Sequence, residues 1–187
     1  MSNNSLYWYV LFVQTGREEE IINLLKKEST HDQYFKPFLF KTVHVFRRQG
    51  KKSLFHKTCF PGYIFIESNE VPDEFISRTL SVVYPLKYVY KILHYGDNKV
   101  DAAMHENERA ALSTLFGKEY CADISQGFKS NDCIKIISGP LVDYESKILK
   151  FNRSRQEAVV SVNMFGKPIE VLMGLDILKN KDDVAAM

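Results

Sequence analysis

The chain has 187 residues, 45% of them apolar, and a formal net charge of +2, which suits one large or two small folded domains with a substantial core. No apolar run approaches the roughly 20 residues that span a bilayer, and the start Met1-Ser2-Asn3-Asn4-Ser5 lacks the basic end of a secretion signal, so a cytoplasmic protein without membrane contact is expected. Cys59, Cys121 and Cys133, odd in number and widely spread, argue against a disulfide framework or a zinc site and read as small core residues.

Tyr7-Trp8-Tyr9-Val10-Leu11-Phe12-Val13 is rich in aromatic and β-branched residues and predicts a strand buried on both faces. A helix follows over residues 16 to 29: Thr15 can cap it, Glu18 can reach back, and Ile21, Ile22, Leu24 and Leu25 recur at helical spacing. Residues 38 to 46 and 54 to 58 read as antiparallel strands joined at Arg47-Arg48-Gln49-Gly50-Lys51-Lys52, whose glycine suits a turn. Pro61-Gly62 opens a strand over 63 to 67. Pro72-Asp73-Glu74 opens a helix to about residue 82, with proline and acids where a first turn prefers them. A strand at 88 to 93, a turn at 95 to 98 and a helix holding Met104, Ala111, Leu112 and Leu115 complete a first unit. Residues 118 to 126 are polar and without period, and read as a linker. Short strands at 132 to 137, 147 to 151, 158 to 162 and 169 to 173 then suggest a small barrel, with Ala158, Val160 and Val162 facing inward and Phe165-Gly166 at a hairpin tip. The fold class is α+β.

Seven of the 25 basic residues and none of the 23 acidic ones fall between Gln33 and Ile66, so the remainder of the chain is net acidic. Such a concentrated positive field attracts phosphates. Lys36, Arg47, Arg48, Lys51, Lys52 and Lys57 in this stretch, and Lys129, Lys147, Lys150, Arg153, Arg155 and Lys167 in the barrel, are the candidate nucleic-acid contacts. Phosphate contacts position a nucleic acid without reading it. Sequence choice needs arginines or aromatics at exposed bases, for which Arg47, Arg48, Arg153, Arg155 and Tyr144 are candidates. Phe165, an aromatic at an exposed tip, is a candidate anchor for another protein.

Enzymatic chemistry is not expected. His31, His44, His56, His94 and His105 are scattered, and His105-Glu106-Asn107-Glu108-Arg109 lacks the second histidine that a zinc-binding helix places four residues on. There is no phosphate loop, no nucleophile elbow and no carboxylate pairing for acid-base work. No cofactor or metal is called for.

Trp8-Tyr9-Val10, Thr15-Gly16-Arg17-Glu18, Phe60-Pro61-Gly62-Tyr63, Ser138-Gly139-Pro140-Leu141 with Glu145 and Ile148, and Val162-Asn163-Met164-Phe165-Gly166-Lys167 follow one another in an order that resembles NusG-type transcription elongation factors across nearly the whole chain. Within that family the loop Gly139 to Ser146, the ending Met173-Gly174-Leu175-Asp176-Ile177-Leu178 and the basic tip are similar to a specialised branch, the LoaP-type antiterminators of long operons.

The resemblance implies an N-terminal α/β sandwich of NGN type, with an antiparallel sheet flanked by helices, over residues 1–117. A linker at 118–126 and a small all-β, SH3-like KOW barrel over 127–181 follow. It further implies that an apolar face of the first domain, here Tyr9, Leu11, Phe60, Tyr63 and Phe65, docks on the clamp helices of RNA polymerase. The partners it implies are the polymerase, a hairpin in the nascent leader RNA, non-template DNA, and a ribosomal protein or Rho on the barrel, with the factor itself a monomer. The alternative is a ribosome-associated or structural RNA-binding module that uses the barrel alone.

Overall fold

The computed structural model describes residues 6–28, 35–48, 51–83, 85–96, 101–130 and 133–178, the side chains of Glu28, Arg47, Arg48, Lys52, Ser130 and Cys133 excepted. In chain order the elements begin with β1 (Tyr7–Val13), α1 (Glu18–Glu28), β2 (Lys36–Phe38), β3 (Lys41–Arg48), β4 (Lys51–Thr58) and β5 (Tyr63–Ser68). Next come α2 (Pro72–Val83), β6 (Val89–Ile92), α3 (Glu106–Phe116), β7 (Cys121–Ala122) and β8 (Ser125–Ser130). The chain continues through β9 (Cys133–Ser138), a single 3-10 turn (Glu145–Lys147), β10 (Ile148–Asn152), β11 (Glu157–Met164) and β12 (Lys167–Leu178). They form an α+β fold of two compact units that interleave in sequence: one draws on residues 1–39, 60–110 and 164–167, the other on 40–59, 111–163 and 168–187.

The first unit contains an antiparallel sheet of order β2-β5-β1-β6. In β1 the odd-numbered residues Tyr9, Leu11 and Val13 point to one face, joined by Ile64 and Ile66 from β5 through the register Tyr9↔Ile66 and Leu11↔Ile64. That face packs against Ile21, Ile22 and Leu25 of α1 and Phe75 and Val83 of α2, and each of these side chains is buried. Tyr9 stacks on Phe75 with ring centroids 3.6 Å apart. Each fully buried apolar side chain contributes about 1.5–3 kcal/mol of transfer free energy. Both helices also carry acids in the first turn, and α1 adds Lys26 and Lys27 in the last, matching the helix dipole.

The entry to α1 differs from a simple capping box. Glu18 accepts hydrogen bonds from the N–H of Gly16 and from the N–H of Gly62, both at 2.7 Å. One buried carboxylate therefore ties the helix start to the Pro61-Gly62 turn. Gly62 has φ +85°, and a Cβ there would sit 3.0 Å from Thr15 Oγ1 and 3.2 Å from the Val13 carbonyl oxygen. The turn requires glycine.

The second unit holds a five-stranded sheet of order β10-β11-β12-β8-β9 and a three-stranded one of order β4-β3-β7. Ala158, Val160 and Val162 are buried, as their alternation predicts, together with Ile136, Leu141, Val171, Met173 and Leu175. Residues 118 to 126, polar and aperiodic in sequence, contain β7 and the start of β8. β7 runs parallel to β3 (Lys41↔Cys121), and β8 runs parallel to β12 (Leu175↔Ser125). Both pairings join residues distant in sequence, so no local pattern could announce them. β12 is also longer than the 169 to 173 expected. At its Gly174 an added Cβ would lie 2.3 Å from the Val43 carbonyl oxygen, so β12 and β3 approach as only glycine allows.

Candidate protein and nucleic-acid interfaces

The grouping of Tyr9, Leu11, Phe60, Tyr63 and Phe65 on one apolar face does not survive the register. Side chains opposite each other in an antiparallel pair share a face, and successive residues alternate. Tyr9 and Leu11 therefore belong with Ile64 and Ile66 in the helix-covered core, while Phe65 and Tyr63, opposite Val10 and Phe12, lie on the other side. That side carries an aromatic band. Trp8 meets Phe38 at 5.4 Å, Phe38 meets Phe65 at 5.6 Å, and Phe60 meets Phe65 at 5.4 Å between ring centroids. Further along, Phe12 lies 5.4 Å from Tyr63 and 5.3 Å from Tyr90. Trp8, Phe60 and Phe65 are buried, Phe12 and Tyr63 are half-buried, and Tyr90 is 57% exposed. The accessible end of the band is thus Phe12, Tyr63 and Tyr90. Phe12 and Tyr90 were legible as aromatic strand residues, but the position of Phe12 between Tyr63 and Tyr90 depends on register.

Phe165 sits at the turn between β11 and β12 with φ +52°, and its surroundings are specific. The N–H groups of Phe165 and Gly166 donate to the two oxygens of the buried Glu108 carboxylate, each at 2.8 Å. The Tyr95 hydroxyl donates to Glu108 at 2.6 Å and accepts from the His105 N–H at 2.9 Å. Its ring stacks on His105 and lies 4.8 Å from Phe165. Burial, followed by the Glu108 contact, pushes the Tyr95 phenol well above its ordinary range, so it remains a donor. Glu108 was not legible in the sequence as a turn-holding residue, because the two N–H groups it accepts from lie 57 and 58 residues away.

The β3–β4 hairpin pairs in register from Lys41↔Thr58 to Arg48↔Lys51. Lys51 is exposed; Gln49, Gly50 and the side chains of Arg47, Arg48 and Lys52 lie outside the described residues. Lys57 behaves otherwise than as a free phosphate contact, because its ammonium donates to Glu157 of β11 at 2.8 Å. The same Glu157 oxygen lies 3.0 Å from His44 Nδ1, short of hydrogen-bond alignment, while His44 Nε2 is 2.8 Å from the Thr42 hydroxyl. His44 has no exposed surface. Burial and then Lys57 lower its pKa, with Glu157 opposing, so the imidazole is neutral. A proton on Nδ1 facing the carboxylate, with Thr42 donating to Nε2, is the tautomer that suits the charge and the donor on either side of the ring.

Of the remaining predicted cations, Lys147, Lys150, Arg153 and Arg155 are exposed and follow one another through the 3-10 turn, β10 and the turn after it. Lys129 on β8 and Lys167 at the start of β12 are exposed as well. Lys36, on β2, is exposed and lies 3.9 Å from Glu67. Tyr144 is half-buried and its hydroxyl donates to the Ala111 carbonyl at 3.3 Å. It is a packing residue in this conformation. Among the described residues, no helix is long and apolar enough to cross a membrane and no His/Cys/Asp/Glu group could hold a metal.

Comparison with known proteins places this geometry. Residues 6–113 match the family model described as transcription termination factor nusG. The chain is 26% identical over 175 residues to the transcription termination/antitermination protein NusG of Thermus thermophilus, covering 89% of this chain and 95% of that one. It is 24% identical over 172 residues to the protein of the same name from Bacillus subtilis, covering 88% and 93%. Among solved structures, one titled "Domain interaction in Thermotoga maritima NusG" superposes with a TM-score of 0.51 at 24% identity, covering 91% of this chain and 94% of that one, a likeness of fold.

Proposed function

The chain belongs to the NusG family of non-enzymatic transcription termination/antitermination factors, and we propose that it is a processive antitermination factor of LoaP type. In this reading residues 1–117 bind the clamp helices of RNA polymerase, and the basic residues hold a hairpin of the nascent leader RNA. Residues 127–181 form a KOW domain that offers Phe165 to a ribosomal protein or to Rho. The observation that carries the reading is the carboxylate-free stretch between Gln33 and Ile66, which bears seven cations and an exposed Lys51. Binding to polymerase alone needs no such field. The accessible aromatic end formed by Phe12, Tyr63 and Tyr90 supports protein docking, since aromatic rings make effective anchors in a groove between helices. A factor that binds the elongating form of polymerase more tightly than the paused form suppresses pausing by population shift, in proportion to that difference in affinity.

The test is readthrough of a terminator in vitro, with and without the leader RNA upstream of the gene cluster that encodes the protein. Readthrough that rises with the protein only when the leader is present is the expected outcome. Tyr63→Ala with Tyr90→Ala should abolish both readthrough and association with purified polymerase while leaving RNA affinity intact. Leader-independent readthrough would remove the RNA part of the reading, and polymerase binding unaffected by the double substitution would remove the docking part.

A further inference from the structure

We propose that the outer half of the β3–β4 hairpin is a stacking platform for unpaired RNA bases, with Phe46 and Phe55 as its rings. The inference rests on the reading of this hairpin as an RNA contact and assigns to it a second kind of interaction, with bases in addition to phosphates. In the hairpin register Thr42 faces Lys57, His44 faces Phe55, Phe46 faces Ser53 and Arg48 faces Lys51. These alternate pairs lie on one face. Toward the base of that face His44 and Thr42 are buried, whereas Phe55 is 37% and Phe46 52% exposed. The row then ends at exposed Lys51. Solvent-facing rings followed by a cation, in a stretch without a carboxylate, are the arrangement that single-stranded nucleic acids use: bases stack on the rings and phosphates lie along the charge.

Geometry selects the unpaired form. Phe46 and Phe55 are diagonal neighbours across the hairpin, a separation of roughly 7–8 Å. Bases in a duplex are about 3.4 Å apart, so paired, stacked nucleotides cannot place one base on each ring, whereas splayed nucleotides of a loop or bulge can. The platform is also partly preorganised. The Phe55 ring is braced by His44 at 5.7 Å between centroids and by the Lys57 ammonium 5.4 Å above it, and Lys57 is itself held by Glu157. Phe55 therefore meets a base without first losing much freedom.

The test measures binding of a short oligouridine RNA, the same RNA paired to its complement, and a ribose-phosphate strand of equal length without bases. Phe46→Ala and Phe55→Ala replace exposed rings, and thermal melts confirm that each variant folds. Each should lose about tenfold in affinity for the single strand, with the slope of log affinity against log salt unchanged and no change toward the baseless strand. Lys51→Glu should do the reverse, lowering the slope by about 0.7 for all single strands. Unchanged single-strand affinity in Phe46→Ala/Phe55→Ala, while Lys51→Glu still lowers the slope, would overturn the stacking platform and leave the RNA-contact reading standing. No salt-dependent RNA binding by the unmodified protein would overturn both. Loss of polymerase association without loss of RNA affinity would assign the rings to a protein contact instead.

Discussion

His44 illustrates how a single side chain acquires a property that its sequence context does not suggest. In the sequence it is one of five scattered histidines, set in a basic hairpin and open to a surface or a packing role, and it is fully buried beside Thr42, Lys57 and Glu157. Its pKa is lowered, chiefly by burial and next by Lys57. The unfolded chain therefore binds a proton at His44 that the folded protein refuses, and stability follows the difference in bound protons. This contribution is complete above the ordinary histidine value of about 6.5 and is lost as pH falls below it toward the lowered folded value. The melting temperature should accordingly fall on acidification through that window, measured against its value at neutral pH. His44→Gln, which cannot titrate, should flatten the dependence there while costing about 1–3 kcal/mol through its unsatisfied partners. A pH profile identical in variant and parent would reject this account of His44.

At the scale of elements, β12 and β3 are locked by the absence of a side chain. Any Cβ at Gly174 would collide with the Val43 carbonyl and lie 3.0 Å from Ile124 Cγ1. Backbone cannot retreat as a flexible side chain can. Gly174→Ala should thus destabilise the protein by about 1–3 kcal/mol, read as a lower urea midpoint with an unchanged slope; a midpoint within error of the parent would show that the strands can separate freely. The elements with strong local periodicity, β1, α1, α2 and the β3–β4 hairpin, were legible in the sequence to within a few residues because each residue's neighbours in the chain are also its neighbours in the element. β7, β8 and the full length of β12 were not. The parallel pairings of β7 with β3 and of β8 with β12 run to strands far away in sequence, and although β8 also pairs with its neighbour β9, Ser125-Gln126-Gly127-Phe128 has no alternation strong enough to declare itself.

Across the whole molecule, the arrangement of charge matters more than its sum. A net charge of +2 would predict weak attraction for any polyanion, yet seven cations fall in one acid-free stretch, and a local field is felt over about one Debye length, roughly 8–10 Å. A variant combining Lys51→Glu with Asp73→Lys keeps the net charge of the parent. It should nevertheless bind RNA less tightly and with a salt slope reduced by about 0.7, because Asp73 is a first-turn residue of α2 and not part of the hairpin. Restoration of parental affinity in the double variant would mean that total charge governs binding.

The candidate site divides along the same line between chain-local and through-space information. Composition, the acid-free stretch and the periodic elements follow from residues close together in the chain and were enough to set the fold class, while the resemblance to the family rested on five short motifs in order, from Trp8-Tyr9-Val10 to Val162-Asn163-Met164-Phe165-Gly166-Lys167. Which aromatics share a face was decided by tertiary structure alone: the Tyr9↔Ile66 and Leu11↔Ile64 register sends Tyr9 and Leu11 into the core and leaves Phe12, Tyr63 and Tyr90 as the accessible group. The same holds for Lys57, drawn to Glu157 a hundred residues on, and for Phe165, whose turn is held by Glu108. A strand's alternation is visible in its letters, but which of its two sides meets the core, and which distant carboxylate meets a given donor, depend on a pairing free energy summed over partners that the local sequence does not contain.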